Sequence, residues 1–201
     1  MITLVVLASG EGTNFQAVLD AIDAGALQAE VVALMSQRKG SGALLRAEVA
    51  DISTCYVPFK PYRDEGRSRE EYDRDLADLV EPFAPDWIVC LGWVHLLSGA
   101  FLDRFPERVI NLHPALPGTF PGKDAIARAW EAWHDGTIQH AGAMVHLVVP
   151  EVDAGPVLAS VPVPILASDT FEAFETRMHA AEHDLVVDVL RALAMADQPA
   201  D

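Results

Sequence analysis

Short apolar runs alternate with amphipathic stretches along this chain. Ile2 to Ala8 is almost wholly apolar and rich in β-branched residues, as a parallel strand buried on both faces requires. Ser9-Gly10-Glu11-Gly12-Thr13 breaks the run. Phe15, Val18, Leu19 and Ile22 then recur at i, i+3, i+4 and i+7, which predicts a helix from about Asn14 that Gly25 ends. Val31 to Met35 reads as a second strand. After the loop Ser36 to Gly42, Ala43 to Ala50 reads as a helix and Thr54 to Val57 as a third strand. Pro58 to Arg67, with Pro, Gly and mixed charge, reads as a loop. Tyr72, Leu76, Leu79 and Val80 share one side of a helix over Arg69 to Pro82. Asp86 to Leu91 is a fourth strand, and Gly92 to Phe105 a turn with a short helix.

The pattern changes in the second half. Val109 to Asn111 reads as a fifth strand and Lys123 to Trp133 as a helix. Val145 to Val149 and Val157 to Val163 read as two strands joined by the turn from Pro150 to Pro156. Thr170 to Leu193 is a long helix with the apolar stripe Phe171, Phe174, Met178, Leu185 and Val189. Asp169 and Glu172 stand at capping-box spacing at its start. The tail, Asp197 to Asp201, is expected to fray. Strands alternating with helices predict an α/β fold: a Rossmann-like, mostly parallel sheet with helices on both faces, a C-terminal antiparallel hairpin and a closing helix. No linker or repeat interrupts it, so residues 1–201 are expected to form a single domain.

The chain has 201 residues, 51% of them hydrophobic, which suffices for one sizeable core. No positively charged segment precedes the first apolar run, and no apolar stretch approaches ~20 residues. A cytoplasmic protein with neither signal peptide nor membrane span is expected. Cys55 and Cys90 lie in apolar runs and read as buried thiols in a reducing compartment. Neither belongs to a Cys/His cluster, so no metal site is expected. The formal net charge of −16 argues against nucleic acid as a partner. An anionic substrate would need a local positive field to hold it.

Four constellations carry candidate chemistry. Asn111-Leu112-His113-Pro114 ends the fifth strand, and period-two alternation points Asn111 and His113 the same way. An amide can donate to a developing oxyanion, and an imidazole can donate or move a proton. Taken alone, the tripeptide equally describes a strand end with a core histidine. The loop behind it, with Pro114, Pro117 and Pro121, is conformationally restricted. Ser9-Gly10-Glu11-Gly12-Thr13-Asn14 could cradle a phosphate on a helix N-terminus, or be an ordinary turn capped by Thr13 or Asn14. Glu151-Val152-Asp153-Ala154-Gly155-Pro156 carries a carboxylate at its apex, the partner a catalytic imidazole needs. Glu182-His183 flanks the apolar stripe of the last helix, where a carboxylate is paired, faces a cavity or, most commonly, is exposed.

In this order these segments resemble the folate-dependent phosphoribosylglycinamide formyltransferases of purine biosynthesis. The resemblance runs from Val5 to Asn14, through Ser68-Arg69-Glu70-Glu71-Tyr72-Asp73 and Pro85-Asp86-Trp87-Ile88-Val89, to Asn111 to Gly118, Glu151 to Pro156 and Glu182-His183. It implies the formyltransferase fold, with a phosphate-binding half (1–110) and a catalytic and folate-binding half (111–195). It implies that Asn111, His113 and Asp153 are catalytic and that Gly12, Thr13 and Asn14 hold the substrate phosphate. Glu182 would take the ribose or glycinamide side. Arg69 would meet the folate tail, and Leu91, His95, Leu97 and Val149 would lie along the folate. The implied reaction moves a formyl group from 10-formyltetrahydrofolate to the amine of glycinamide ribonucleotide, with Asp153 keeping His113 charged.

The folate is then a donor substrate rather than a tightly bound cofactor, and the partners are small molecules, with a monomer or homodimer expected. Two departures from the family's common pattern stand out. Ala115-Leu116-Pro117-Gly118 replaces the usual Ser-Leu-Leu-Pro, and His95 stands where an arginine is expected. The alternatives are 10-formyltetrahydrofolate hydrolysis, formylation of an amino-sugar nucleotide, and a non-catalytic module binding a phosphometabolite. The resemblance gives the hydrolase an extra N-terminal domain, for which a first strand at Ile2 is expected to leave no room. Formylation of initiator methionyl-tRNA would want a basic surface and a further C-terminal domain.

Overall fold

The computed structural model describes residues 1–196; the expected fraying of 197–201 lies outside them. Seven strands form one sheet: β1 (Ile2–Leu7), β2 (Ala29–Ser36), β3 (Ser53–Tyr56), β4 (Trp87–Cys90), β5 (Val109–His113), β6 (His140–Leu147) and β7 (Val157–Pro164). Their order across the sheet is β3-β2-β1-β4-β5-β6-β7. The first five strands run parallel, and β6 and β7 are each antiparallel to their neighbour. The expected mixed sheet with a terminal hairpin is therefore observed, with the hairpin continuing the same sheet.

Helices cover both faces. α1 (Thr13–Asp23), α2 (Gly42–Val49), α6 (Ala125–His134) and α7 (Phe171–Ala196) lie on one face. On the other lie α3 (Lys60–Asp64), α4 (Arg69–Val80) and α5 (Gly99–Leu102). Alternate strand residues feed the two cores: Ile110 and Leu112 pack toward α1 and α7, and Val109 toward α4 and α5. Asn111 and His113 share the side of Val109, so strand alternation sets the site on the α4 face.

The expected elements differ from the observed ones in four places. Pro58 to Arg67 contains α3, with Pro61 near its start, where a missing N–H costs nothing. β5 continues to His113, which places both candidate residues on the strand itself. β6 starts at His140, five residues before the β-branched run that signals it. Its first half is small residues, and Gly142 packs where a Cβ would lie 2.3 Å from the Val161 carbonyl oxygen. The cap of α7 is Thr170, whose Oγ1 accepts from Ala173 N–H. Asp169 instead forms two hydrogen bonds with Arg177 (2.7 and 2.8 Å).

The chain order reverses between β1 and β4, so loops leave the carboxyl ends of these strands in opposite directions and open a crevice. Among the described residues, no helix is long and apolar enough to cross a membrane.

Candidate active site

Three segments meet at the carboxyl end of β5. Asn111 and His113 project from the strand, and the turn between β6 and β7 brings Asp153 over them. Asp153 Oδ2 lies 3.5 Å from His113 Nδ1, and Oδ1 accepts from Asn111 Nδ2 at 3.4 Å. Asp153 adopts a left-handed backbone (φ 49°), which aspartate tolerates better than most residues. The N–H of Gly122, in the Pro-rich loop, donates to its Oδ2 at 2.7 Å and holds it there.

A fourth residue completes the cluster. His146 is buried and stands directly opposite Asn111 in the β5–β6 ladder. Its Nδ1 lies 2.8 Å from the Leu147 carbonyl, which can only accept, so Nδ1 carries a proton. Its Nε2 lies 3.2 Å from Asn111 Nδ2 and 3.4 Å from Asp153 Oδ1. A neutral ring accepts there from Asn111; a charged ring donates to Asp153. Sequence reasoning missed His146. Its only signal is a lone histidine in an apolar strand, and its importance depends on the cross-strand register.

His113 Nε2 lies 3.1 Å from the Phe120 carbonyl, so it too is the protonated nitrogen, leaving Nδ1 to face Asp153. Burial holds this imidazole below its ordinary pKa; Asp153 and the Phe120 carbonyl oppose the effect and offset only part of it. The expectation that Asp153 keeps His113 charged is therefore corrected, because desolvation outweighs the nearby carboxylate. Burial alone would raise Asp153. A charged His146 donating to Oδ1, the Gly122 N–H and the positive charge either imidazole can carry outweigh it and hold the carboxyl below its ordinary value. At neutral pH two proton acceptors, Nδ1 and a carboxylate oxygen, face each other with room for one proton.

This cluster forms one end of a cleft of about 250 Å³. Gly92 to Leu97 make one wall and Val148, Val149 and Glu151 to Asp153 the other; Gly122 and Lys123 border it. Of the candidate folate residues, His95, Leu97 and Val149 line the cleft. Leu91 does not, since its side chain is buried in the core toward α1 and α7. Arg69 sits outside, paired with Asp73 (Nε to Oδ1 3.0 Å) and donating to the Leu96 carbonyl at 2.7 Å. His95 is half-buried and packs edge-on against Phe59. Burial, helped by Arg69 and Lys123, lowers its pKa, so it does not reproduce an arginine's permanent charge.

The phosphate candidates lie at the end of β1. The cap of α1 is Gly12 (φ 77°), which has no side chain to offer. Neither Thr13 nor Asn14 caps the helix, so the N–H groups of its first turn have no side-chain acceptor and point outward. Gly12 is required twice, by its left-handed backbone and by α2, where an added Cβ would stand 2.7 Å from Ala43 Cα. Asn14 Oδ1 is buried without a hydrogen-bond partner among the described residues.

Topology brings Glu182 to the same place. β7 runs parallel to β1, so the helices that follow them, α1 and α7, run parallel as they pack together. Arg191 Nε donates to the Ala26 carbonyl, beyond the carboxyl end of α1. Glu182 lies nine residues earlier, about 13–14 Å up the helix, level with the first turn of α1. It is buried rather than exposed, and His179 Nδ1 donates to its Oε2 at 2.6 Å. That bond raises the His179 pKa, and the Glu182 charge also acts on His113. The uncapped N-terminus of α1, a buried carboxylate and the Asn111/His113/Asp153/His146 cluster therefore line the carboxyl edge of one sheet. Such a site can grip a phosphorylated amine at one end and stabilise an oxyanion at the other.

The sequence pattern of the family described as "Formyl transferase" matches residues 2–190. The phosphoribosylglycinamide formyltransferase of Schizosaccharomyces pombe is 43% identical over 199 residues, covering 95% of this chain and 96% of that protein. The Escherichia coli protein of the same name is 35% identical, covering 90% and 81%. The crystal structure of glycinamide ribonucleotide transformylase 1 from Symbiobacterium toebii superposes with a TM-score of 0.89 at 33% identity, over 100% of this chain and 91% of that one. The phosphoribosylglycinamide formyltransferase from Bacillus halodurans superposes with a TM-score of 0.90 at 30% identity, over 98% and 97%.

Proposed function

We propose a function for this chain from one premise: it belongs to the formyl transferase family. It transfers the formyl group of 10-formyltetrahydrofolate to the amine of glycinamide ribonucleotide, a step of purine biosynthesis. The folate is a consumed donor rather than a resident cofactor. The observation that carries this reading is the convergence of Asn111, His113 and Asp153 at the head of a cleft.

In this mechanism the ribonucleotide phosphate lies on the N–H groups of Thr13 and Asn14 behind Gly12, and Glu182 takes the ribose. The folate fills the cleft between the Gly92–Leu97 wall and Val149, its tail toward Arg69. The amine attacks the formyl carbon, and the carbonyl oxygen gains negative charge. Asn111 Nδ2 is the amide donor for that oxyanion: one hydrogen stays on His146 Nε2, and the other leaves its long 3.4 Å contact with Asp153 Oδ1 for the substrate oxygen. The attacking nitrogen becomes cationic and must lose a proton. His113 Nδ1, unprotonated and beside Asp153, is placed to take it, directly or through a water. The imidazolium so formed is paired with Asp153 and adds positive charge beside the oxyanion. Collapse of the tetrahedral intermediate breaks the bond to folate N10, which recovers a proton as tetrahydrofolate leaves.

The decisive assay mixes purified protein with 10-formyltetrahydrofolate, with and without glycinamide ribonucleotide. Formylated ribonucleotide and tetrahydrofolate in equal amounts support the transferase. Formate released without the amine marks a hydrolase. Ribonucleotide binding with no turnover of the folate marks a binding module and removes the catalytic reading.

A further inference from the structure

We propose that Asp73, acting through Ser98 and Arg69, clamps the Gly92–Ser98 loop and so sets the affinity for the folate donor; this rests on the folate reading of the cleft. Asp73 lies in α4 and is fully buried. A buried carboxylate is costly unless its oxygens are paired; one oxygen of Asp73 meets the loop directly and the other faces Arg69, one turn earlier on the same helix. Oδ2 accepts from the Ser98 backbone N–H at 2.8 Å. Oδ1 lies 3.0 Å from Arg69 Nε, in an ion pair whose N–H is not aligned along the contact. Arg69 carries the connection onward, donating from Nη2 to the Leu96 carbonyl at 2.7 Å. Its guanidinium lies near the rings of Phe59 (5.1 Å) and Tyr72 (4.9 Å), which limits where it can move. Phe59 in turn meets His95 edge-on, 5.1 Å between ring centres.

Residues 95, 96 and 98 are thus each tied to α4 or to Phe59. The loop is without regular hydrogen bonding from Trp93 to Ser98, and Val94 and Leu96 are about half exposed. Leu97 is buried in the core and Trp93 packs, partly buried, against it. Yet Gly92 to Leu97 form a complete wall of the cleft. A displacement of about 1 Å in such a wall can cost ~10²-fold in function. Asp73 touches no reacting atom, so its role is positioning.

The test compares the full-length protein with Asp73→Asn and Ser98→Pro. Asp73→Asn keeps the shape but swaps an acceptor oxygen for an NH₂ group, which must face either the Ser98 N–H or the Arg69 guanidinium. Ser98→Pro breaks the same contact from the loop side: the N–H is lost together with the hydroxyl, and the ring Cδ stands where that proton pointed at Asp73 Oδ2, so loop and carboxylate must part. The φ of Ser98, −84°, is near the proline value, so the backbone itself accepts the ring. Each variant is expected to raise KM for 10-formyltetrahydrofolate, and the Kd for tetrahydrofolate by calorimetry, about tenfold or more. KM for glycinamide ribonucleotide should stay within about twofold, since its cradle lies across the sheet.

Folded variants with unchanged folate KM overturn the clamp, as does equal weakening of both substrates, which marks general destabilisation. Should Asp73→Asn fail to fold, Ser98→Pro decides on the same criteria. Wild-type protein lacking formyl transfer would sink the functional reading itself, whereas active wild type with unaffected variants sinks only the clamp.

Discussion

Asn111 and His146 face each other across the β5–β6 ladder, with 3.2 Å between the amide nitrogen of one and Nε2 of the other. The Leu147 carbonyl fixes the proton on the far nitrogen of His146, so a neutral ring can only accept at Nε2. That contact fixes the rotation of the Asn111 amide and aims its hydrogens. His146→Phe keeps a ring in the space and removes the acceptor. The variant should fold and lose about 10²-fold in kcat, with both KM values nearly unchanged. A folded His146→Phe protein with near-normal kcat would show that Asn111 needs no such guide.

Removing the amide itself should cost more. Asn111→Ala deletes the proposed oxyanion donor, and the loss of one such donor costs about 10²–10³ in rate. Steady-state kinetics at saturating ribonucleotide and folate check this. A folded variant turning over within threefold of wild type would take Asn111 out of the mechanism.

His113 offers a test by pH. Burial lowers its pKa in the folded protein, while Asp153 pulls the other way. An NMR titration of the His113 ring should give a midpoint below the ordinary 6.5. In Asp153→Asn the opposing charge is gone, so the midpoint should fall further while kcat drops by about two decades. The linkage to stability has a definite sign. A lowered folded-state value means the unfolded chain binds the extra proton first. The neutral ring's contribution is then complete above 6.5 and is lost as pH falls toward the folded-state midpoint. A midpoint that rises in Asp153→Asn contradicts this account.

Much of this arrangement was legible in the sequence, and the remainder was hidden for physical reasons. Asn111 and His113 could be paired because strand alternation is a local property. The βα turn with Gly12 could be read because glycine reports a backbone need. His146 could not, since its partner depends on a register set by strands that meet only after folding. Glu182 reads from the helical pattern as an edge residue. It is buried because α7 packs against α1, more than 150 residues away in sequence. Arg69 offered a free cation to the folate, but the helix that carries it also supplies Asp73 one turn later. The first half of β6 was invisible because Ala and Gly there answer to the close approach of Leu116 and Val161, not to strand propensity.

Glu182 and His179 give a prediction on the ribonucleotide side. Glu182→Gln should raise KM for glycinamide ribonucleotide about tenfold or more, since a buried hydrogen-bonding carboxylate is lost. It should leave the folate KM near wild type. The same change should bring the His179 midpoint down toward its ordinary value, because the Glu182 hydrogen bond is the main cause of its rise. In the wild type that pair stabilises the fold fully below 6.5, and the contribution is lost as pH climbs through the raised His179 midpoint. Kinetics and an NMR titration on one variant check both statements. An unaltered ribonucleotide KM would detach Glu182 from the substrate.

The turn that carries Asp153 has no spare room. A Cβ on Gly155 would lie 1.8 Å from the Leu147 carbonyl oxygen, and no side-chain motion can relieve a clash with backbone. Gly155→Ala must therefore displace either the turn or the end of β6. The same few residues hold His146, whose Nδ1 donates to that very oxygen, and Asp153, two positions earlier. Movement of either face of the turn separates Asp153 from His113. Activity should fall by about 10²-fold or more, in kcat through Asp153 and in the folate KM through the Val148 to Asp153 wall of the cleft, with the ribonucleotide KM near wild type because the turn at Gly12 is untouched. Melting should drop by several degrees as the strained turn is relieved on unfolding. A Gly155→Ala protein with wild-type kcat would mean that Asp153 need not sit where this turn puts it, and the pairing with His113 would lose its catalytic meaning.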